Sequence, residues 1–278
     1  MANVKFGLIS LDFRRFPLKK CFEVAKKFEF QGVELWGGRP HAYPYDVGKD
    51  EVKAILQLKN KYSMDIPMYT PNAIGLPINL CSSMSIERSE GMEYYKRAID
   101  VAASLEIPRM LVVADHPGFG MGLNEAWKYF SDEISQLVNY AEKKNVIISI
   151  EPLTPMESPV ITRTDDCLKL LQEIDSPNLH FVLDIVPPTI VHEPISNYFI
   201  KLGKLVDHVH ISNSDKKTDA HLELDDGCLN IGDILQIVKN YKYEQFVIIE
   251  LYSVSLNDPE RVVASSARVL SSIKNLLK

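Results

Sequence analysis

Four polar residues stand at the ends of four apolar runs: Glu151 in ISIEPLTP, Asp184 in FVLDIVPP, His210 in DHVHISNSD and Glu250 in VIIELYS. Aimed at one point, they would bring three carboxylates and one imidazole together. Clustered carboxylates repel one another and are costly to bury. A divalent cation is the simplest resolution, and an oxygen-rich set with one imidazole suits Mn²⁺, Co²⁺, Mg²⁺ or Ni²⁺ better than thiolate-seeking metals. Two of the carboxylates could also move protons. With Glu151 and Glu250 on opposite sides of a ligand, one removes a proton and the other returns one, while the metal holds a ketone oxygen and its neighbouring hydroxyl and stabilises an enediolate. Proton transfer α to a carbonyl covers isomerases, epimerases and dehydratases, and these residues alone do not choose among them.

Residues so far apart in the chain meet only on a regular scaffold. Short runs rich in Val, Ile and Leu have the composition of buried parallel strands. They occupy 4–10, 32–36, 65–70, 109–114, 145–151, 179–184, 206–212 and 245–251. Amphipathic helical stretches separate them, most clearly at 17–28, 123–144 and 259–278, where Pro259 suits a first helical turn. Eight strand–helix units match a (β/α)8 TIM barrel, read as a single domain over 1–278. A doubly wound open sheet is the rival, but no Gly-rich dinucleotide fingerprint supports it. Barrel active sites lie at the C-terminal ends of the strands. Period-two alternation sets Ser149, Glu151, Val182, Asp184, Ile248 and Glu250 toward the barrel axis, opposite Ile148, Ile150, Phe181, Leu183, Ile249 and Leu251.

Composition narrows the function classes. The net charge is −6 and no basic tract occurs, which argues against nucleic-acid and anionic-membrane partners. Cys21, Cys81, Cys167 and Cys228 form no CxxC pair, as expected of free thiols in a reducing compartment. The N-terminal residues carry no signal-peptide pattern, and no apolar run approaches the ~20 residues of a membrane span. A cytoplasmic protein is expected. Without a GxSxG elbow, P-loop or GxGxxG motif, acyl transfer, ATP use and nicotinamide chemistry have no support.

Longer motifs carry a resemblance. ELWGGRPHA (34–42), EPLTPMES (151–158), VLDIVPP (182–188), the segment 193–215, AHLELDDG (220–227) and VIIEL (247–251) together resemble the sugar isomerase and epimerase superfamily with a xylose-isomerase-like barrel. Within it the fructoselysine 3-epimerases are most similar, and the tagatose and psicose 3-epimerases more distant. The resemblance implies metal ligation by Glu151, Asp184, His210 and Glu250, with Glu151 and Glu250 as the acid/base pair at C3 of a 2-ketose. It also implies that Glu157 binds substrate hydroxyls and that fructoselysine and psicoselysine interconvert. Three positions depart from the ketose 3-epimerase pattern. Pro187 stands where a histidine follows the metal Asp, Lys216 and Lys217 stand near a missing arginine, and LDDG (224–227) replaces a Pro-Gly-Asp-Gly turn. The first two argue against free tagatose or psicose as substrate.

Further side chains are candidates for substrate contact. Asp219 and His221 form a DxH pair similar to one that helps bind an additional zinc in AP endonucleases of this barrel type, so a nuclease is one alternative. The strand ends hold too few histidines for a phosphodiesterase cluster, and the acidic charge opposes DNA binding. His116 and Tyr69 stand at the ends of strands 4 and 3, while His208, one pleat deeper than His210, reads as a satisfied core residue. Glu34 and Trp36 share the inward register of strand 2, and Trp36, Arg39 and His41 are expected to shape the entry side, with Arg39 pairing an amino-acid carboxylate. The remaining alternatives are another sugar isomerase, a ketose 3-epimerase, a dehydratase and a non-catalytic sugar-amine binding protein. Superfamily members often form dimers or tetramers, so a homo-oligomer is possible.

Overall fold

The computed structural model describes residues 4–252 and 257–273. Eight parallel strands close into a barrel in sequential order: β1 (Lys5–Ile9), β2 (Gly32–Gly37), β3 (Tyr69–Pro71), β4 (Arg109–Val113), β5 (Ile147–Glu151), β6 (Leu179–Asp184), β7 (Val206–Ile211) and β8 (Phe246–Ile249). The expected (β/α)8 architecture is the one observed. Helices α1 (Leu18–Lys27), α2 (Lys49–Tyr62), α3 (Ser85–Ser104), α4 (Leu123–Glu142), α5 (Thr164–Glu173), α6 (Val186–Ile190), α7 (Ile231–Asn240) and α8 (Pro259–Ile273) follow the strands in turn. Residues 274–278 of the stretch read as helical lie outside the described residues. Among the described residues no helix is long and apolar enough to cross a membrane.

The outer layer follows from helical periodicity. Along α4, Trp127, Phe130, Ile134, Leu137, Val138 and Ala141 line one face and are buried, while Lys128, Asp132, Gln136 and Asn139 are exposed. Between β6 and β7 the helix is cut short: Pro187 and Pro188 open the five-residue α6, and a π-helical turn at Tyr198–Leu202 completes the crossover. Strand 3 is also shorter than its apolar run. Pro67 has no N–H for a ladder, so residue 65 makes only an isolated bridge to Gly32 and the strand begins at Tyr69.

Inside the barrel the side chains stack in layers. Between β8 and β1 Phe246 and Ile248 pack with Ile9. They fit because Gly32 contributes no side chain: a Cβ there would lie 2.5 Å from Phe246 Cε1. Burying each of these side chains is worth about 1.5–3 kcal/mol. At the N-terminal end lies a polar layer centred on Asp207, which accepts from Arg109 Nε (2.7 Å) and Ser149 Oγ (3.0 Å) and lies 2.9 Å from His180 Nδ1. A register shift makes this possible: Phe181 pairs with Val206 but Val182 pairs with His208, which leaves Asp207 as the extra, inward-reaching residue. Above it lie Glu34, His208 and His210, and then the C-terminal rim.

Candidate active site

At the C-terminal end of the barrel a pocket of about 330 Å³ has Glu151, Asp184 and Glu250 in its wall. A larger cleft of about 500 Å³ opens at the opposite end beside Arg109 and Gln245, and none of the three carboxylates lines it. Strand register explains the convergence. Asp184 pairs with His210, and Glu151 is the last residue of β5, so β5, β6 and β7 each present an inward side chain at the C-terminal end. Glu250 follows directly on β8, its backbone N–H donating to the Ile211 carbonyl.

The contacts are short and dry. His210 Nδ1 lies 2.7 Å from Glu151 Oε1 and 3.0 Å from Glu250 Oε2. His221 Nε2 lies 2.8 Å from Asp184 Oδ2 and 3.9 Å from the same Glu250 oxygen. Glu250 therefore joins two groups, Glu151–His210–Glu250 and Asp184–His221–Glu250, in each of which the ligating atoms lie within 4.8 Å of one another. Asp184 is held by its other oxygen, which accepts the Val186 N–H at 3.0 Å. His221 comes from the loop after β7. A short antiparallel bridge between Asn213 and Leu222 folds that loop back, and Asn213 Nδ2 secures it by donating to the Leu224 carbonyl at 2.9 Å.

Burial and crowding set the protonation of the cluster. Desolvation lifts Glu151 to about 7 against the pull of His210. Glu157 is lifted to about 8, first by burial and then by neighbouring Asp219. Burial works against protonation of His210 and His221, but the surrounding carboxylates outweigh it and hold both well above the ordinary range. Asp184 stays below the carboxylate range despite burial because His221 stands beside it. Negative charge thus exceeds what the side chains themselves compensate, and protons make up the difference. An oxygen-rich donor set of this kind fits a hard divalent cation, which would replace those protons.

A sequence profile for xylose isomerase-like TIM barrels matches residues 22–273. The chain belongs to the xylose isomerase-like TIM barrel family. Among curated relatives, the fructoselysine 3-epimerase of Shigella flexneri is 33% identical over 92% of this chain and 93% of its own. In structure, this xylose isomerase-like barrel superposes on a D-tagatose 3-epimerase-like protein with a TM-score of 0.83 at 21% identity, covering 99% of this chain and 98% of the other. It superposes on a D-psicose 3-epimerase with a TM-score of 0.79 at 15% identity, covering 99% of each. The chain is an isomerase of the epimerase kind.

Measured against this pocket, the candidates named from sequence divide into two sets. Glu151, Asp184, Glu250, Glu157, Asp219, His221 and Trp36 line it, and His210 lies beneath, wholly buried. Glu157 Oε2 accepts from Thr154 N and Oγ1, both at 3.1 Å. Asp219 Oδ1 is buried without a partner among the described residues. Trp36 is seated by its backbone N–H donating to Ser10 Oγ at 2.9 Å, and its indole covers Gly38, where a Cβ would stand 2.0 Å from Cζ2.

Four of the candidates stand outside this lining. Tyr69 is fully buried and donates to the Ala42 carbonyl at 2.6 Å, because the register pairs it with outward-facing Leu35. Its neighbour Thr70, paired with Trp36, is the residue in the pocket wall. Arg39 makes a bidentate pair with Asp46 (2.6 and 2.7 Å), lies over the Tyr43 ring and is 68% exposed, away from the pocket. His41 stands behind Trp36 rather than beside a ligand, its ring edge-on at 5.8 Å and its Nε2 2.9 Å from the Phe16 carbonyl. His116 stays in its own loop, accepting the Gly118 N–H at 2.9 Å and packing on Phe119, outside the pocket lining. Because an exposed pair of this kind contributes little, Arg39→Ala is expected to leave KM for any sugar within about twofold. Steady-state kinetics on the variant checks this, and a large rise in KM would return Arg39 to the substrate.

The structure adds residues not singled out from sequence. Leu11, Asn72, Ile74 and Tyr252 also line the wall. Asp12 is buried below Glu250 and is raised to about 8, first by desolvation and then by that neighbour. Glu34, noted only for its facing, bonds both strand-7 histidines. A carboxylate between Val33 and Leu35 in a buried strand was the available signal.

Proposed function

We propose that this barrel is a metal-dependent 3-epimerase of a ketosamine, interconverting fructoselysine and psicoselysine. The observation that carries the reading is the approach of Glu151 and Glu250 to a single nitrogen, His210 Nδ1, at 2.7 and 3.0 Å in the pocket wall. Likeness to a fructoselysine 3-epimerase over 92% of the chain supports the substrate class.

Glu151, Asp184, His210 and Glu250 would hold the cation, with His221 adjoining. When bound, a divalent ion acts as a Lewis acid that acidifies the proton next to a carbonyl. The chain's own residues supply the rest. One of Glu151 and Glu250 takes the C3 proton of the 2-ketose, and the other delivers a proton to the opposite face, which inverts the carbon. A carboxylate that has taken a proton can also give it back, so the pair serves both directions of the interconversion. Glu157 and Asp219 receive sugar hydroxyls, and Trp36, Leu11 and Tyr252 cover the apolar side and restrict water. The partner is thus a small sugar-amine, and nothing in the site calls for nucleic acid.

Incubating the protein with fructoselysine and Mn²⁺ in D₂O tests the reading. Deuterium is expected at C3 together with psicoselysine. If neither forms, the assignment is wrong.

A further inference from the structure

We propose that Glu34 is a positioning residue for the metal site: it fixes the tautomer and aim of His210, and His208 locks Glu34 in turn. The inference rests on the metal reading above. Glu34 has no exposed surface and is absent from the pocket wall, so it touches neither substrate nor solvent. Both its carboxylate oxygens are hydrogen-bonded. Oε2 lies 2.6 Å from His208 Nε2 and 3.0 Å from His210 Nε2, Oε1 lies 3.2 Å from His210 Nε2, and the Thr70 hydroxyl donates to Oε1 in a short hydrogen bond.

The consequence follows from imidazole chemistry. A neutral ring carries its proton on one nitrogen and a lone pair on the other. Glu34 can only accept from Nε2, so the His210 proton is kept at Nε2 and the Nδ1 lone pair faces Glu151 and Glu250, where the cation would sit. A carboxylate behind a ligating imidazole orients the ring and raises its basicity, and its loss typically costs 10–100-fold in metal affinity. His208 contributes a second donor to Glu34, with its ring edge-on to His210 at 5.2 Å, so the carboxylate cannot swing away. Glu34, His208 and His210 also lie close enough to share an ion. Direct hydrogen bonds between them, with the Thr70 hydroxyl as a third donor, favour the bonded network over a second ion.

Mn²⁺ binding, followed by the electron paramagnetic resonance signal of the free ion, tests this without reference to turnover. Wild-type protein is expected to bind one Mn²⁺, and Glu34→Gln to bind it 10–100-fold more weakly at unchanged stoichiometry. Equal affinity in the two proteins overturns the role of Glu34, and two ions bound to wild type overturns it in favour of a second metal site. A wild type that binds no Mn²⁺ defeats the metal reading itself. Should the variant fail to fold, ¹⁵N-detected imidazole spectra of the wild-type Mg²⁺ form decide: His210 protonated at Nε2 supports the assignment, and protonation at Nδ1 overturns it.

Discussion

Glu250→Gln is expected to lower turnover by about 10³-fold or more and to abolish deuterium entry at C3, since acid–base catalysis alone contributes roughly 10²–10⁴. Glu250 is the carboxylate shared by both groups of the cluster, 3.0 Å from His210 and 3.9 Å from His221. Glutamine keeps the shape and one oxygen acceptor but removes the charge and the ability to take a proton. The loss should therefore fall on kcat, with weaker cation binding added to it. Misfolding would not explain it, because removing one of several crowded carboxylates relieves repulsion. The variant's metal-free melting temperature should equal or exceed that of wild type. Turnover within tenfold of wild type would remove Glu250 from the chemistry.

The second large effect concerns the metal-free protein. Asp12 and Glu157 are each lifted to about 8 and Glu151 to about 7, in every case first by burial. Carboxyls raised in this way hold protons in the folded state that the unfolded chain has already lost. Their contribution is full below the unfolded pKa, near 4, and is lost as pH rises toward 8. His210 and His221, held above the ordinary imidazole range by their carboxylates, act in the same direction. His208 opposes them, because burial favours its neutral form. The net expectation is that chelated protein melts roughly 5 °C lower at pH 8.5 than at pH 6. A divalent cation replaces the shared protons, so Mn²⁺ at a fixed concentration should stabilise more at pH 8.5 than at pH 6; where that concentration is one hundred times its Kd the stabilisation is about 2.7 kcal/mol. Thermal melts with and without chelator across this range, alongside loss of turnover on chelation, provide the check. A metal-free melting temperature that rises with pH would contradict the account.

Much of this was legible in one dimension. Strand alternation is a property of the backbone itself, so Glu151, Asp184 and Glu250 declare their facing from the residues beside them. Eight such runs with helical spacers left few architectures, and the barrel then dictated that the strand ends meet. A one-residue error in facing is the characteristic failure of this reasoning. Pairing of Tyr69 with Leu35 and of Thr70 with Trp36 is settled only by the closed barrel, and it leaves Thr70 rather than Tyr69 in the pocket wall.

What tertiary structure alone decided are the partners. Glu34 and His208 stand 174 residues apart, and no local pattern says that barrel closure brings them to 2.6 Å. His221 reaches Asp184 because the Asn213–Leu222 bridge folds a loop inward, and Asp207 joins the interior because one register shift adds a residue. Arg39 shows the converse: a cation that looks placed for recognition is taken by Asp46, seven residues on. Residue types and their facing follow from chain chemistry and period, whereas which charge satisfies which depends on distances that exist only once the barrel has closed.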